Sequence, residues 1–344
     1  MASGSLKLAQ EYAKEAQKAS KSSWFSKPEW DTAAQYWDKA ATVYKTALHF
    51  EEAIDCHAKA SDAFTKVNAL YLAAKGYENA AMIAEKQLKD HSKAVMYYSK
   101  SSDMFRSQGS SPERAAEMLE KAAKICEDVD TIQAIQLYDT ALGIYEAEDR
   151  GRFSMGTFKK LTSYLIGKSR LPEAADVQMR LYAVCEQINN RYEGNKCCLA
   201  VVVLLLAFGD NVAASKKMDE FGQSVSLIHS DEFALADQML QAYTNGDQEE
   251  FANLARSQKV TFLDSSISRL AVKTRVPGAA RVEQPPSLPQ MTTPGGAAAS
   301  SSVHAGSSHT TPAPSAMSQN NSGSTRTGSA VPPAPPVDDD DDLL

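Results

Sequence analysis

Disulfide chemistry and an export signal are missing from this sequence. It has only five cysteines in 344 residues, no two of them form a CxxC pair, and no histidine follows them at metal-ligand spacing. An odd number of cysteines in a chain of this length is typical of reduced thiols in the cytosol. The first 19 residues lack the apolar segment of a signal peptide. We therefore expect a cytoplasmic protein.

Long apolar runs and positive charge are scarce as well. The strongest apolar run, residues 199–208, has ten residues, about half of the roughly 20 that a spanning helix needs, so we expect a buried helix there. Residues 277–344 hold two arginines and six acids, which is −4 of the total net charge of −7 and leaves −3 for residues 1–276. Surfaces that bind phosphate are usually basic, so this balance disfavours nucleic acid as a partner.

Recognisable catalytic motifs are also missing. The sequence has no GxxxxGK[ST] phosphate loop, no GxGxxG, no HExxH and no GxSxG. His49, His57 and His91 fall in or beside predicted helices, where a single histidine is more often a packing or surface residue than a ligand. We predict a protein that is not an enzyme, has no cofactor or metal and has no small-molecule substrate.

Proline is rare before residue 277, where only Pro28, Pro112 and Pro172 occur; the other eleven of the 14 prolines follow. The first turn of a helix tolerates proline because its missing N–H has no helical partner there, so the three early prolines predict helix starts. Residues 277–337 are mainly Ser, Thr, Pro, Gly and Ala. They cannot bury enough apolar surface to offset their ordering entropy, which predicts a disordered linker.

What the sequence does contain is an internal repeat. A small residue is followed seven positions later by a second member and four positions after that by a third. Steps of seven and eleven residues return to within about 20° of the same side of a helix, so each triplet predicts a stripe on which a neighbouring helix packs. The triplets are Ala33/Ala40/Tyr44, Ala53/Ala60/Phe64, Ala73/Ala80/Ala84, Ala94/Ser101/Phe105, Ala115/Ala122/Cys126, Ala134/Ala141/Tyr145 and, more loosely, Ala174/Leu181/Cys185.

The period of the repeat predicts the fold class. Ala53, Ala94, Ala134 and Ala174 are 41, 40 and 40 residues apart, which is the length of a helical hairpin of the tetratricopeptide or HEAT class. We predict an all-α, tetratricopeptide-like right-handed superhelix of antiparallel hairpins, with an irregular helical bundle as the alternative. The predicted segments are an N-terminal helix with an aromatic loop (1–30), the hairpins (31–229), a C-terminal helical bundle (230–276), the linker (277–337) and an acidic tail (338–344).

An aromatic pair lies in the loop between the first helix and the repeats. Trp24 and Phe25 stand in the segment "KSSWFSKPEW", among serines and lysines and outside any helical period. One interpretation is that they fold back on the first helix. The other is that they dip into a membrane interface, where tryptophan prefers to lie and where Lys21 and Lys27 favour anionic lipid.

A second local feature is the lysine pair Lys159 and Lys160 in "GTFKKLTSYLIGKSR". Two adjacent lysines on a helix are usually a solvated face. On the inner wall of a superhelix they would instead meet an acidic partner.

The aromatic loop, the phrase "WFSKPEWDTAAQYWDKAA", the hairpins of period 40 and the closing "VPG" at residues 276–278 together resemble the soluble NSF attachment proteins, most closely their gamma branch. The resemblance covers about residues 5–278. It implies an adaptor that binds SNARE complexes, the syntaxin-type four-helix bundles, and that recruits and stimulates the hexameric ATPase NSF. The ATPase then takes the bundles apart after vesicle fusion. It also implies a peripheral association with vesicle, Golgi or vacuolar membranes, as in ER–Golgi and other intracellular protein transport.

The resemblance also implies roles for individual residues. Trp24 and Phe25 match the family's membrane-attachment loop, and Lys160, beside Lys159, matches a basic position used against SNAREs. Another such position is occupied here by Glu117, an acid where the family has a basic residue. The acidic positions that face the ATPase are Gln241, Thr244 and Asn245 here, so we expect Asp247, Glu249 and Glu250 to substitute.

The end of the sequence, "DDDDDLL", has three interpretations. It fits an acidic dileucine sorting signal, although such signals act on membrane cargo. It could be a solubilising tail, which leaves the leucines unexplained. The family's end is acidic with a leucine and stimulates the ATPase, which assigns that role to Leu343 and Leu344 behind residues 338–342.

Two other functions remain open. The first is a generic tetratricopeptide scaffold that grips the C-terminal carboxylate of a chaperone, a role for which no set of basic and amide side chains can be assembled with assurance from the sequence. The second is an enzyme without a recognisable motif. Binding of a short acidic chaperone peptide would favour the first.

Overall fold

The computed structural model describes residues 2–21 and 27–278, and these residues form sixteen α-helices and no strand. Trp24, Phe25, Leu343, Leu344, the linker after residue 278 and the aspartate run lie outside the described residues. The helices are α1 Ala2–Ala19, α2 Trp30–Thr46, α3 Phe50–Lys66, α4 Leu70–Ile83, α5 His91–Gln108, α6 Pro112–Cys126, α7 Thr131–Ala147, α8 Gly151–Gly167, α9 Leu171–Gln187, α10 Arg191–Phe208, α11 Asn211–Phe221, α12 Val225–Ile228, α13 Asp231–Thr244, α14 Gln248–Leu254, α15 Gln258–Thr261 and α16 Ser265–Lys273, with a π-helical turn Ala84–Leu88 after α4.

The helices α1 to α10 form an array in which each packs on the next. Turns of only a few residues join most of them, so neighbours run antiparallel and successive turns lie at opposite edges of the array. The predicted all-α fold of helical hairpins is confirmed. The proposed boundary at residue 230 stays a prediction, because α11, α12 and α13 all pack against α10.

The small-residue stripes are the contact surfaces between these helices. Every member of the seven triplets is buried, including the third positions Tyr44, Phe64 and Phe105. In most triplets, alanine or serine at the first two positions lets adjacent helices approach closely, and a larger third side chain fills the space beyond them. The periodicity therefore identified the core of the array.

The turns repeat a backbone motif that the sequence pattern did not reveal. In every turn from α2 to α11 except the α6–α7 turn, one residue adopts a left-handed conformation: Leu48, Asn68, Lys89, Gly109, Asp149, Ser169, Asn189 and Gly209. In six of these turns the N–H of the next residue donates to the carbonyl five residues earlier, as from His49 to Tyr44 at 2.9 Å. This bond satisfies a carbonyl at the helix end. Six of the eight residues are not glycine, and Leu48 and Lys89 in particular give no sequence signal for this conformation.

The prolines mark helix starts at two of the three predicted positions. Pro112 and Pro172 lie in the first turns of α6 and α9. Pro28 instead stands before Glu29, the residue that precedes α2, and so lies outside the helix. The helix start predicted at Pro28 therefore lies two residues before the observed start of α2 at Trp30.

The helix α10 is the centre of the C-terminal part. Its apolar run is buried from Cys197 to Leu206, as expected of a helix surrounded by others. It packs against α9, α11, α13 and α16. The last helix, α16, also contacts α8, so the chain folds back across the end of the array.

Candidate interaction surface

A ladder of ion pairs links the even-numbered helices α4, α6, α8 and α10. Each rung joins two helices that are separated by one other in the sequence, so these four helices present one common face. The rungs join Glu78 on α4 to Arg114 and Lys121 on α6, Glu120 on α6 to Lys160 on α8, and Lys159 on α8 to Glu193 on α10. We call this surface the even-helix face.

The first rung is built on a buried carboxylate. Glu78 is buried, and its oxygens lie 2.7 Å from Lys75, 2.9 Å from Arg114 and 3.2 Å from Lys121. Burial alone would raise the pKa of Glu78, but the hydrogen bonds and charges of Lys75 and Lys121 outweigh it and lower the pKa. The carboxylate is therefore ionised and holds α4 to α6.

The second rung holds Lys160. Its Nζ atom lies 2.5 Å from Oε2 of Glu120, and the hydroxyl of Thr157 donates to the other oxygen of the same carboxylate. The Glu120 side chain is largely buried, whereas that of Lys160 is more than half exposed. Lys160 thus presents an accessible cation that its own chain already neutralises in part.

The third rung places Lys159 between two carboxylates. Its Nζ atom lies 3.0 Å from Glu193, which also binds Lys196 at 3.2 Å. Burial would raise the pKa of Glu193, but Lys159 and Lys196 lower it overall. The carboxyl of Asp264, just before α16, has a lowered pKa because hydrogen bonds from Ser266 and Ser163 and the charge of Lys159 outweigh the effect of its burial.

The lysines of the second and third rungs, Lys160 and Lys159, line an open cleft of about 530 Å³. Three lysines reach its walls, together with two carboxylates and three hydroxyls: Lys124, Lys159, Lys160, Glu127, Asp264, Tyr138, Ser163 and Tyr164. The Tyr138 hydroxyl donates to Glu127 at 2.7 Å, and that of Tyr164 donates to the Glu127 carbonyl at 3.1 Å. The structure thus brings the predicted pair Lys159 and Lys160 together at one cleft, with carboxylates that sequence spacing did not reveal.

The predicted acidic residues lie together at the start of α14. Asp247 caps this helix by accepting a 2.9 Å hydrogen bond from the Glu250 N–H. Asp247, Glu249 and Glu250 are all exposed. Three carboxylates within four residues give this surface a local negative charge at the positive end of a helix.

The described chain ends beside these acids. The N–H of Val276 donates to the side chain of Gln248 at 2.9 Å, which ties the end of the chain to α14. Pro277 and Gly278 line an open cleft of about 510 Å³ together with Thr244, Asn245 and Gly246. The last described residues, Pro277 and Gly278, therefore lie near the start of α14, where Asp247, Glu249 and Glu250 are found.

Comparison with known proteins identifies the family. The family model described as "Soluble NSF attachment protein, SNAP" matches residues 7–275. The chain belongs to the soluble NSF attachment protein family. It is 33% identical over 261 residues to the gamma-soluble NSF attachment protein of Dictyostelium discoideum, which covers 76% of this chain and 80% of that protein.

A second relative, the gamma-soluble NSF attachment protein of Arabidopsis thaliana, is 29% identical over 245 residues, with 71% of this chain and 84% of that protein covered. Among solved structures, aspartyl phosphate phosphatase F from Bacillus subtilis matches with a TM-score of 0.32 and 15% identity, over 80% of this chain and 83% of that one. Likeness at that level carries no argument about function.

The positions at which this family member departs from the expected pattern have local partners. Glu117, where a basic residue was expected, lies 3.1 Å from Arg114 and 2.9 Å from Lys121 and extends the ladder at the first rung. Gln241 bonds Asp237 on its own helix, and the Thr244 hydroxyl bonds the Leu240 carbonyl. Within the described residues, an acidic surface is found instead at Asp247, Glu249 and Glu250.

Within the described residues, His49, His57 and the cysteines of this family member occupy packing or surface positions. His57 is buried with Nδ1 3.2 Å from Asp38, and His49 lies 3.4 Å from Glu52. All five cysteines are buried, and the described residues contain no group of three or more His, Cys, Asp or Glu that could hold a metal. None of the described helices is both long and apolar enough to cross a membrane.

Proposed function

We propose that this protein is an adaptor that binds assembled SNARE bundles through the even-helix face and recruits and stimulates the NSF ATPase through its C-terminal end. It does not catalyse a reaction itself. One observation carries the C-terminal half of this proposal. The exposed acids at the start of α14 lie close to Pro277 and Gly278, the residues that precede the tail. The acidic surface and the tail with Leu343 and Leu344 would therefore reach the same partner.

The SNARE-binding half rests on Lys159 and Lys160. Both cations line one cleft on the even-helix face, and Lys160 is the more exposed. The carboxylates of an acidic helical bundle would have to share these lysines with Glu120 and Glu193 or displace those two side chains. The lysines would therefore attract and orient the bundle but add little to its affinity. The proposed location is cytoplasmic and peripheral on vesicle, Golgi or vacuolar membranes, through Trp24 and Phe25.

A pull-down tests the function. A preformed SNARE bundle is immobilised and incubated with this protein, NSF and a non-hydrolysable nucleotide. We expect NSF to be retained only when the protein is present. A bundle that retains the protein but no NSF would refute the adaptor role.

A tetratricopeptide scaffold for chaperone tails is less well supported. Such a scaffold needs basic side chains that a partner's carboxylate can occupy, whereas the cations of the ladder pair with carboxylates of their own chain. Micromolar binding of an acidic chaperone peptide, measured by calorimetry beside the pull-down, would reverse this preference.

A further inference from the structure

The turn between α3 and α4 exposes three apolar side chains within six residues. Val67, Tyr71 and Leu72 are 39%, 47% and 49% exposed. The Tyr71 ring rests edge-on against Phe105 with centroids 5.8 Å apart, so its position is fixed by the array. We call these three residues the α3–α4 apolar edge.

This edge adjoins the segment that carries the aromatic pair. The Nζ atom of Lys66, at the end of α3, lies 3.4 Å from the centroid of the Trp30 ring at the start of α2. The N–H of Glu29 donates to the carbonyl of Ala19 at 2.9 Å, which ties the end of α1 to the start of α2. These described ends of the α1–α2 connection therefore lie at the same edge of the array as Val67, Tyr71 and Leu72.

Charge at this edge leans positive. Lys21, Lys27 and Lys66 are exposed there, against Glu29 and Asp31. Exposed aliphatic and tyrosine side chains with lysines beside them suit the boundary of an anionic bilayer, where apolar groups enter the acyl region and ammonium groups meet phosphates.

We propose that the α3–α4 apolar edge is itself a contact for anionic membrane lipid, formed by Val67, Tyr71 and Leu72 with Lys66 beside them. This inference rests on the proposed peripheral membrane association and assigns a new part of the surface to it. This edge and the aromatic pair would together bind a bilayer more tightly than one short loop, because their buried apolar areas add. They would also fix the orientation of the array, since two contacts on different hairpins restrict its rotation.

Flotation of the full chain with vesicles that contain phosphatidylcholine and phosphatidylserine tests the proposal. The variant Val67→Ser with Leu72→Ser removes most of the aliphatic area, and we expect the partition coefficient to fall roughly tenfold. The matched control is Val129→Ser with Ile132→Ser. Those side chains are more exposed, at 73% and 65%, but lie at the α6–α7 turn on the opposite edge, so we expect no change.

The two membrane roles can be distinguished. If Trp24→Ser with Phe25→Ser weakens flotation and the α3–α4 variant behaves like its control, the apolar edge is not a contact, and the loop role stands. The reverse pattern would overturn the loop role and leave the turn as the contact. A partner protein at this edge would likewise leave flotation unchanged and so count against the proposal.

A spectroscopic measurement keeps the test independent of folding. All five native cysteines are buried, so a thiol-reactive, environment-sensitive dye should label a Leu72→Cys variant at the new site alone. We expect its emission to shift to the blue when anionic vesicles are added, and the Ile132→Cys variant to show no shift. Equal emission of the two labelled proteins in the presence of vesicles would contradict the proposal.

Discussion

The ammonium nitrogen of Lys160 on α8 lies 2.5 Å from a carboxylate oxygen of Glu120 on α6. These residues are 40 positions apart in sequence and equivalent faces of successive hairpins bring them together. Lys160, the cation that we propose meets an acidic partner, is therefore already paired with a carboxylate of its own chain. A partner's carboxylate must compete with Glu120 for the same cation.

The first prediction uses this competition. Lys160→Gln should weaken binding to a SNARE bundle about threefold, as expected for a half-exposed charge. Glu120→Gln should strengthen binding about twofold, because it leaves the cation to the partner. Surface plasmon resonance at two salt concentrations measures both. Unchanged binding by Lys160→Gln at both salt concentrations would show that Lys160 does not contact the bundle.

The second prediction concerns the C-terminal end. Deletion of Leu343 and Leu344 should lower stimulation of the ATPase several-fold while SNARE binding persists, because apolar side chains contribute contact energy that the aspartates alone do not. Phosphate release reports stimulation, and co-sedimentation reports SNARE binding. Unchanged stimulation would assign the tail to solvation.

The third prediction separates the acids of α14 by role. Glu249→Gln with Glu250→Gln should reduce recruitment of the ATPase, since these two side chains are exposed and do not cap the helix. Asp247→Asn should leave the melting temperature almost unchanged, because asparagine caps a helix about as well as aspartate. If the double variant recruits the ATPase as well as the parent does, the acidic surface has another role.

The fourth prediction is a pH dependence of stability. The folded-state pKa of Glu78 is lowered, so its contribution is present above the ordinary carboxyl pKa, about 4.5, and is lost as pH falls through the folded value. Glu78→Gln should therefore destabilise the protein by about 2 kcal/mol at pH 7, with the difference from the parent shrinking below pH 4.5. Urea unfolding at pH 7 and pH 4 measures it. A constant difference would mean that the charge does not contribute.

The fifth prediction concerns the turns. Leu48 is exposed and has a φ of 63°, which costs a residue with a Cβ about 1 kcal/mol. Leu48→Gly should raise the free energy of unfolding by about 0.5 kcal/mol, after the extra entropy of glycine in the unfolded chain is deducted. Gly109→Ala is the reverse substitution at an equivalent turn position. The φ of Gly109 is 77° and a Cβ there would meet no atom within 4 Å, so only backbone strain is added. It should lower stability by about 1 kcal/mol, measured in the same urea titrations.

The sequence predicted the array better than the interaction surface. Small residues at steps of seven and four identify a helix face that any fold of packed helices must bury, so Ala53, Ala60 and Phe64 could be placed without a structure. The Glu120–Lys160 pair joins residues of separate hairpins, and its existence depends on the offset between helices rather than on local spacing. The left-handed residues in the turns could not be predicted for a related reason. Residues such as Leu48 adopt them because packing on both sides of the turn overrides their own preference.

The packing of α10 makes the two ends of the array mechanically unequal. Among the described helices, α1 packs mainly on α2, so α1 can detach by giving up that one contact surface, whereas α10 packs against α9, α11, α13 and α16 and cannot move without disturbing all four. The end assigned to lipid is thus the compliant end, and the end assigned to the ATPase is the stiff one. A force applied at α14 would therefore be transmitted to the rest of the molecule through a rigidly packed group of helices.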